Sequence, residues 1–304
     1  DSPELLRRLG KLMLEKQSPT DAVAFLKKAH DLDNHNPEGQ FNLARANYKL
    51  GRYDEAWTLL ESHIADYEQE PAVAKLLGQV LLAMNQPVKA KPVLLFTSEN
   101  YPNDRDTVLS AAKVVIAEAE NATHEVNDAE LSQLRGILTS YLNTNPTDSQ
   151  AKLNLADVER LLGNNQLAFE TYLDVSKQIH PAKSRATWQL QFGLGKTALA
   201  MGKVEMAVAT LQEAAGQQPE NTTILHALAK AYQVSELSGK ASDTALLALK
   251  LAPQDLNNIL WYARFRMDSD KPEEAVKTLK EALVLEPNQP ALKLWLSRAH
   301  LALG

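Results

Sequence analysis

Apolar residues recur along this chain at the three- and four-residue spacing of helices, in paired blocks broken by polar turns. The segment from Phe41, FNLARANYKLGRYDEAWTLL, is representative. It holds a large–small pair, Leu43–Ala44, a Gly at a turn, Gly51, and a small residue deep in a second block, Ala56. The same order recurs as Leu9–Gly10 with Ala22, Leu77–Gly78 with Ala90, Leu155–Ala156 with Ala168, Leu194–Gly195 with Ala207, Leu228–Ala229 with Ala241 and Tyr262–Ala263 with Ala275. In each case the two small residues stand twelve positions apart. Pro102, Pro219, Pro253 and Pro287 follow twelve positions later. They end the second helix, because proline lacks an N–H and biases the residue before it away from helical geometry.

The period is 34 residues, with repeat starts near Pro3, Pro37, Pro71, Arg105, Ser149, Trp188, Thr222, Leu256 and Pro290. That predicts eight helix pairs and one final lone helix. Each pair has an apolar face that it cannot bury alone, so neighbouring pairs must stack. The expected roles are close approach within a pair at the small residues, with Leu59, Leu60, Leu94, Leu211 and Leu279 filling the space between pairs. Two intervals exceed the period. From Arg105 to Ser149 the spacing is 44, with the excess in the polar stretch Ala119 to Asp128, read as a long loop or an extended helix end. From Ser149 to Trp188 there are five extra residues, near HPAKSRAT. The chain therefore reads as a single array over 1–304, with sub-blocks 3–146 and 149–304.

The 34-residue period with these coupled positions resembles the tetratricopeptide repeat, and the resemblance covers almost the whole chain. It implies an all-α, right-handed superhelical solenoid of antiparallel helix pairs, with a concave groove lined by the first helices that holds a protein or peptide.

Composition narrows the chemistry. Ala and Leu dominate the apolar set, both strong helix formers. A net charge of −6 argues against a nucleic-acid coat, and no nucleic-acid partner is expected. Zero cysteines exclude disulfides, thiolate metal sites and a Cys nucleophile. No apolar run approaches 18 residues, so no transmembrane segment is expected. The opening at Asp1 suits a mature fragment or excised domain, cytoplasmic or periplasmic. GLGKT at Gly193 to Thr197 lacks the first glycine of a phosphate-binding loop, which would fall at Leu190, and its surroundings are helical. None of His30, His35, His63, His124, His180, His226 and His300 has ligand spacing, and a GxSxG elbow is absent. No catalytic residue, metal ligand or cofactor is expected. The sequons at Asn121 and Asn221 bear on function only in a eukaryotic secretory pathway.

One pattern stands above the scaffold. The residue after the small residue of each first helix is Lys11, Arg45, Gln79, Lys113, Asp157, Lys196, Lys230, Arg264 or Arg298, seven of nine basic in an acidic chain. At 100° per residue this position lies opposite the buried large residues. The resemblance places that side in the concave groove and implies that Asn42 and Asn154, on a neighbouring line, hold a ligand's backbone. Arg7, Phe41, Lys75, Phe192 and His226 would complete a basic and apolar lining. The binding set is thus Lys11, Asn42, Arg45, Lys113, Asn154, Lys196, Lys230, Arg264 and Arg298, for a partner of acidic character. Co-chaperones of this family clamp a terminal carboxylate with Lys and Asn on one first helix, Asn on the next and cations on the third. Here those places hold Arg7, Lys11, Asn42, Ala72 and Leu76, so the third-helix cations are missing. Two functions remain: a non-catalytic scaffold in a larger assembly, or a substrate-selecting adaptor region of an enzyme or export machine. Self-association through an open end is a further reading.

Overall fold

The computed structural model describes residues 2–64, 68, 70–120, 128–178 and 187–303, with the side chains of His63 and Thr187 set aside. Among these residues there are 17 α-helices and no strands. The pairs are α1 (Pro3–Glu15) with α2 (Pro19–Leu32), α3 (Pro37–Lys49) with α4 (Tyr53–Leu60), and α5 (Pro71–Ala83) with α6 (Pro87–Asn100). Then come α7 (Arg105–Ala119) and α8 (Asp128–Thr144), α9 (Ser149–Leu161) with α10 (Asn165–Gln178), and α11 (Thr187–Ala200) with α12 (Val204–Gln217). Finally α13 (Thr222–Val234) packs with α14 (Ser238–Leu251), α15 (Leu256–Asp268) with α16 (Pro272–Leu285), and α17 (Pro290–Leu301) stands last. Eight of the nine first helices start where the period puts them, and α11 starts one residue earlier. The fold is an all-α stack of antiparallel helix pairs.

The chain divides into two compact units, Asp1–Val115 with Gly136–Thr144, and Ile116–Arg135 with Asn145–Gly304. Within each, the repeated small residues sit at close helix contacts. Ala44, Ala56, Ala156, Ala168, Ala207, Ala229, Ala263 and Ala275 are fully buried. A Cβ added at Gly10 would stand 2.3 Å from Leu26, at Gly78 2.8 Å from Leu94, and at Gly195 2.6 Å from Leu211. The leucines expected between pairs thus include Leu94 and Leu211, each seated on the glycine of its own pair. The burial follows from geometry: only a missing or minimal side chain lets the facing leucine reach the backbone.

The turn inside the pair repeats as well in seven of the pairs. Gln17, Gly51, Asn85, Gly163, Gly202, Glu236 and Asp270 all have positive φ, between 55° and 81°. The next amide closes each helix by a long backward hydrogen bond, as from Arg52 to Asn47 O (3.0 Å) and Leu237 to Tyr232 O (2.9 Å). Five first helices are entered through an Asn or Asp whose side chain accepts from their first turn: Asn36, Asp104, Asp148, Asn221 and Asp255. Asn221, read above as a sequon, is such a cap.

The two long intervals fall partly outside the described residues: 121–127, with Asn121 and His124, and 179–186, with His180 and most of HPAKSRAT. Part of the first excess is helical, since α7 and α8 have 15 and 17 residues where α5 and α6 have 13 and 14.

Candidate functional site

In the second unit each second helix packs on the next first helix, and this brings the first helices α11, α13 and α15 side by side. Their shared face forms an open groove of about 690 Å³. Phe192 and Lys196 of α11, His226 and Lys230 of α13, and Asn257 and Trp261 of α15 line it. Each couple is four residues apart, about one turn of helix, so each points to the same side.

The apolar wall is a column of rings. His226 stacks on Trp261 at 3.9 Å and 9°, and Trp261 on Phe265 at 5.1 Å and 14°. Asn258, 2% exposed, locks it: its Nδ2 donates to Ala248 O (2.8 Å) and Ala252 O (2.9 Å) at the end of α14. Its Oδ1 therefore faces the imidazole, which donates from Nε2 at 2.6 Å. Burial lowers the His226 pKa from 6.5 to about 4, against the pull of the Asn258 hydrogen bond and the Asp255 charge. The ring is neutral at physiological pH.

The far wall carries a charge cluster. Glu120, just past the end of α7, accepts from Lys196 Nζ on one oxygen and from Arg160 Nη2 of α9 on the other. Arg160 also lies 3.6 Å from Asp157, whose carboxylate accepts from the Tyr172 hydroxyl at 2.5 Å. Burial pushes the Glu120 pKa up, and the charges of Arg160 and Lys196 more than reverse this, so the carboxyl lies below its ordinary value. Burial pushes Asp157 up. Lys196 Nζ also stands 5.1 Å from the Phe192 ring centre.

Of the nine residues singled out in the sequence, Lys196 and Lys230 come together in this groove, with Phe192 and His226 beside them. Lys196 is engaged by Glu120, whereas Lys230 is half-exposed, donating to Gln233 (2.9 Å) and 3.7 Å from Asp268. Arg264 of α15 and Arg298 of α17 are exposed, the latter 4.8 Å over Trp295. Asn154 of α9 is half-buried and accepts from Gln150. In the first unit Lys11 pairs with Glu38 at 2.9 Å, and Arg45 is half-buried 5.9 Å over Phe41. Asn42 is 4% exposed, so it packs in the core side of α3, and Lys113 is exposed. Arg7 is held by Asp33 (2.9 Å) and Glu4 (3.3 Å), and Lys75 by Asp104.

Glu120, Arg160, Asn258 and Trp261 were not singled out. Glu120 and Arg160 have no periodic signal. Asn258 does: its position holds Val73, Leu190 and Ile224 in other repeats, a polar residue where apolar ones recur. The GLGKT stretch lies inside α11. Gly193 faces Tyr172, where an added Cβ would stand 2.5 Å from the ring; Thr197 donates to Gly193 O at 2.8 Å. Its glycines are packing positions. Among the described residues no group of three or more His, Cys, Asp or Glu could hold a metal, and no helix is long and apolar enough to cross a membrane.

A family model described as tetratricopeptide repeat matches residues 13–80, and the same 34-residue spacing returns in the helices of the second unit. Residues 13–80 thus carry tetratricopeptide repeats. A tetratricopeptide repeat-containing protein of Bacillus subtilis, YpiA, is 22% identical over 285 residues, which cover 86% of this chain and 65% of that protein. Among solved structures, the APC/C hetero-tetramer Cut9-Hcn1 matches with a TM-score of 0.58 at 18% identity, over 92% of this chain and 52% of that one. The human IFIT1 dimer with m7Gppp-AAAA matches with a TM-score of 0.54 at 17% identity, over 93% and 68%. These two likenesses concern the fold. The chain thus spans about two thirds or less of the YpiA and Cut9-Hcn1 chains it matches. Tetratricopeptide-repeat proteins generally serve as protein-interaction scaffolds, and the fold is typically non-catalytic.

Proposed function

We propose that this chain is a non-catalytic scaffold that holds a segment of a protein partner, acidic in character, in the groove of α11, α13 and α15. The observation that carries this reading is the lining itself. An apolar wall of Phe192, His226 and Trp261 runs beside Lys196 and Lys230, which occupy the same position of successive first helices. Rings supply sequence-tolerant contact area, and ammonium groups supply charge-assisted hydrogen bonds, roughly twice as strong as neutral ones. Arg264, exposed one repeat beyond Lys230, extends the cationic line. An acidic segment lying along the first helices would meet these cations at intervals of one repeat.

The test uses Lys230→Glu/Arg264→Glu, since both side chains are exposed while Lys196 is tied to Glu120. Wild type and variant should give the same circular dichroism and melting temperature. In capture from lysate of the source organism, partners retained by wild type should be lost from the variant. Equal retention by both would move the interface off this groove.

A further inference from the structure

The groove wall contains one carboxylate that the repeat pattern does not explain. Glu120 lies past Ala119, the last residue of α7, within the ten residues by which this interval exceeds the period. It reaches cations from two different pairs, Arg160 of α9 and Lys196 of α11, and gives each one oxygen. Glu120 and Lys196 both line the groove. The Arg160 side chain is 7% exposed, and its Nε is buried without a hydrogen-bond partner. The other nearby carboxylate, Asp157, already accepts from Tyr172 and stands 3.6 Å from Arg160. Without Glu120, Lys196 on the groove wall and the buried Arg160 behind it would be left with one committed carboxylate beside them. A buried cation left unpaired is costly, so this pair has a strong demand for a carboxylate from whatever source.

We propose that Lys196 and Arg160 form a carboxylate-binding site of the groove which the chain fills with its own Glu120, so that an acidic side chain of a partner competes with Glu120 for it. The proposal rests on the reading of the groove as a partner site. The chemistry it requires is a carboxylate, with a second acidic group further along to meet Lys230, one repeat away on the same lining. Glu120 then sets a threshold: a single weak acid is turned away by the intramolecular one, and a segment that also engages Lys230 and the ring wall can displace it.

The experiment removes the internal carboxylate from the whole chain and supplies it from solution. Glu120→Ala should melt below wild type. Sodium acetate should raise its melting temperature saturably beyond sodium chloride at equal ionic strength. The same titration should leave wild type and Glu120→Ala/Lys196→Met without an acetate-specific gain. A labelled hexaglutamate peptide should bind Glu120→Ala about tenfold tighter than wild type. Absence of acetate-specific rescue would overturn the proposal, and so would equal peptide affinity for the two proteins. Acetate rescue with no peptide binding to either form would support the carboxylate site and sink the groove reading instead. Should Glu120→Ala not fold even in acetate, Glu120→Gln keeps the shape and removes the charge. It carries the peptide comparison with the same expected gain and the same overturning result.

Discussion

Gly193 and Gly195 show what a residue with no side chain does in this fold. Gly195 belongs to the 34-residue pattern and was legible as a packing position, because its sister residues Gly78, Ala229 and Ala263 recur in register. Gly193 was not legible. Its partner, Tyr172, comes from the preceding pair, and the ring is fixed there by full burial and by its hydrogen bond to Asp157. A methyl at 193 would stand 2.5 Å from a ring that has nowhere to turn. Gly193→Ala should therefore lose about 1–3 kcal/mol of stability. Gly216→Ala, with nothing within 4 Å of the added carbon, should be neutral or gain about 0.5–1 kcal/mol by the helix preference of alanine. Urea unfolding followed by circular dichroism measures both; equal effects would mean that Tyr172 yields easily. The same logic limits what a motif can say. GLGKT looks like phosphate chemistry until its glycines are seen to carry a neighbouring tyrosine and leucine.

At the scale of elements, helix starts were readable and helix-to-helix locks were not. Prolines at Pro3, Pro37, Pro71 and Pro290 mark first helices because proline suits a helix's first turn. The positive-φ turns were readable at Gly51, and Gly163 and Gly202 supply the same turn. They were hidden at Gln17, Asn85, Glu236 and Asp270, where the stack imposes the same turn on other residues. The lock between α13, α14 and α15 was also hidden, since Asn258 and His226 each look ordinary alone. Their pairing has a pH signature. The folded state holds His226 near a pKa of about 4, whereas the unfolded chain protonates it near 6.5. Below pH 6.5 the unfolded state binds the extra proton, so this contribution is intact above 6.5 and is eroded as pH falls towards 4. Wild type should lose stability across that interval more steeply than His226→Gln. Parallel slopes in urea titrations at stepped pH would show that the imidazole is protonated in the folded protein.

At the scale of the molecule, the period alone specified the number and order of the helix pairs, because each pair repeats one packing solution. What it could not specify is how many cations are already spoken for. The basic stripe was read from one position per repeat, while its neutralising partners Glu38, Glu120 and Asp268 come from other repeats or from an inserted stretch. Asn42 is 4% exposed for a related reason: its neighbours in the stack bury it. Stability in such arrays accumulates from neighbours, so an element with fewer of them opens first. In this chain α17 packs on α15 and α16 and leaves Leu294 and Leu301 at 53% and 82% exposure. Its amides should exchange with deuterium ahead of those of α13. Equal protection would reveal a further covering surface on α17. The ring column in the groove has an optical consequence. An indole stacked on a neutral imidazole and a phenyl ring fluoresces according to what touches its remaining edge. Trp261 therefore gives the groove a built-in light signal, separable from Trp57, Trp188 and Trp295 by substituting those three with phenylalanine.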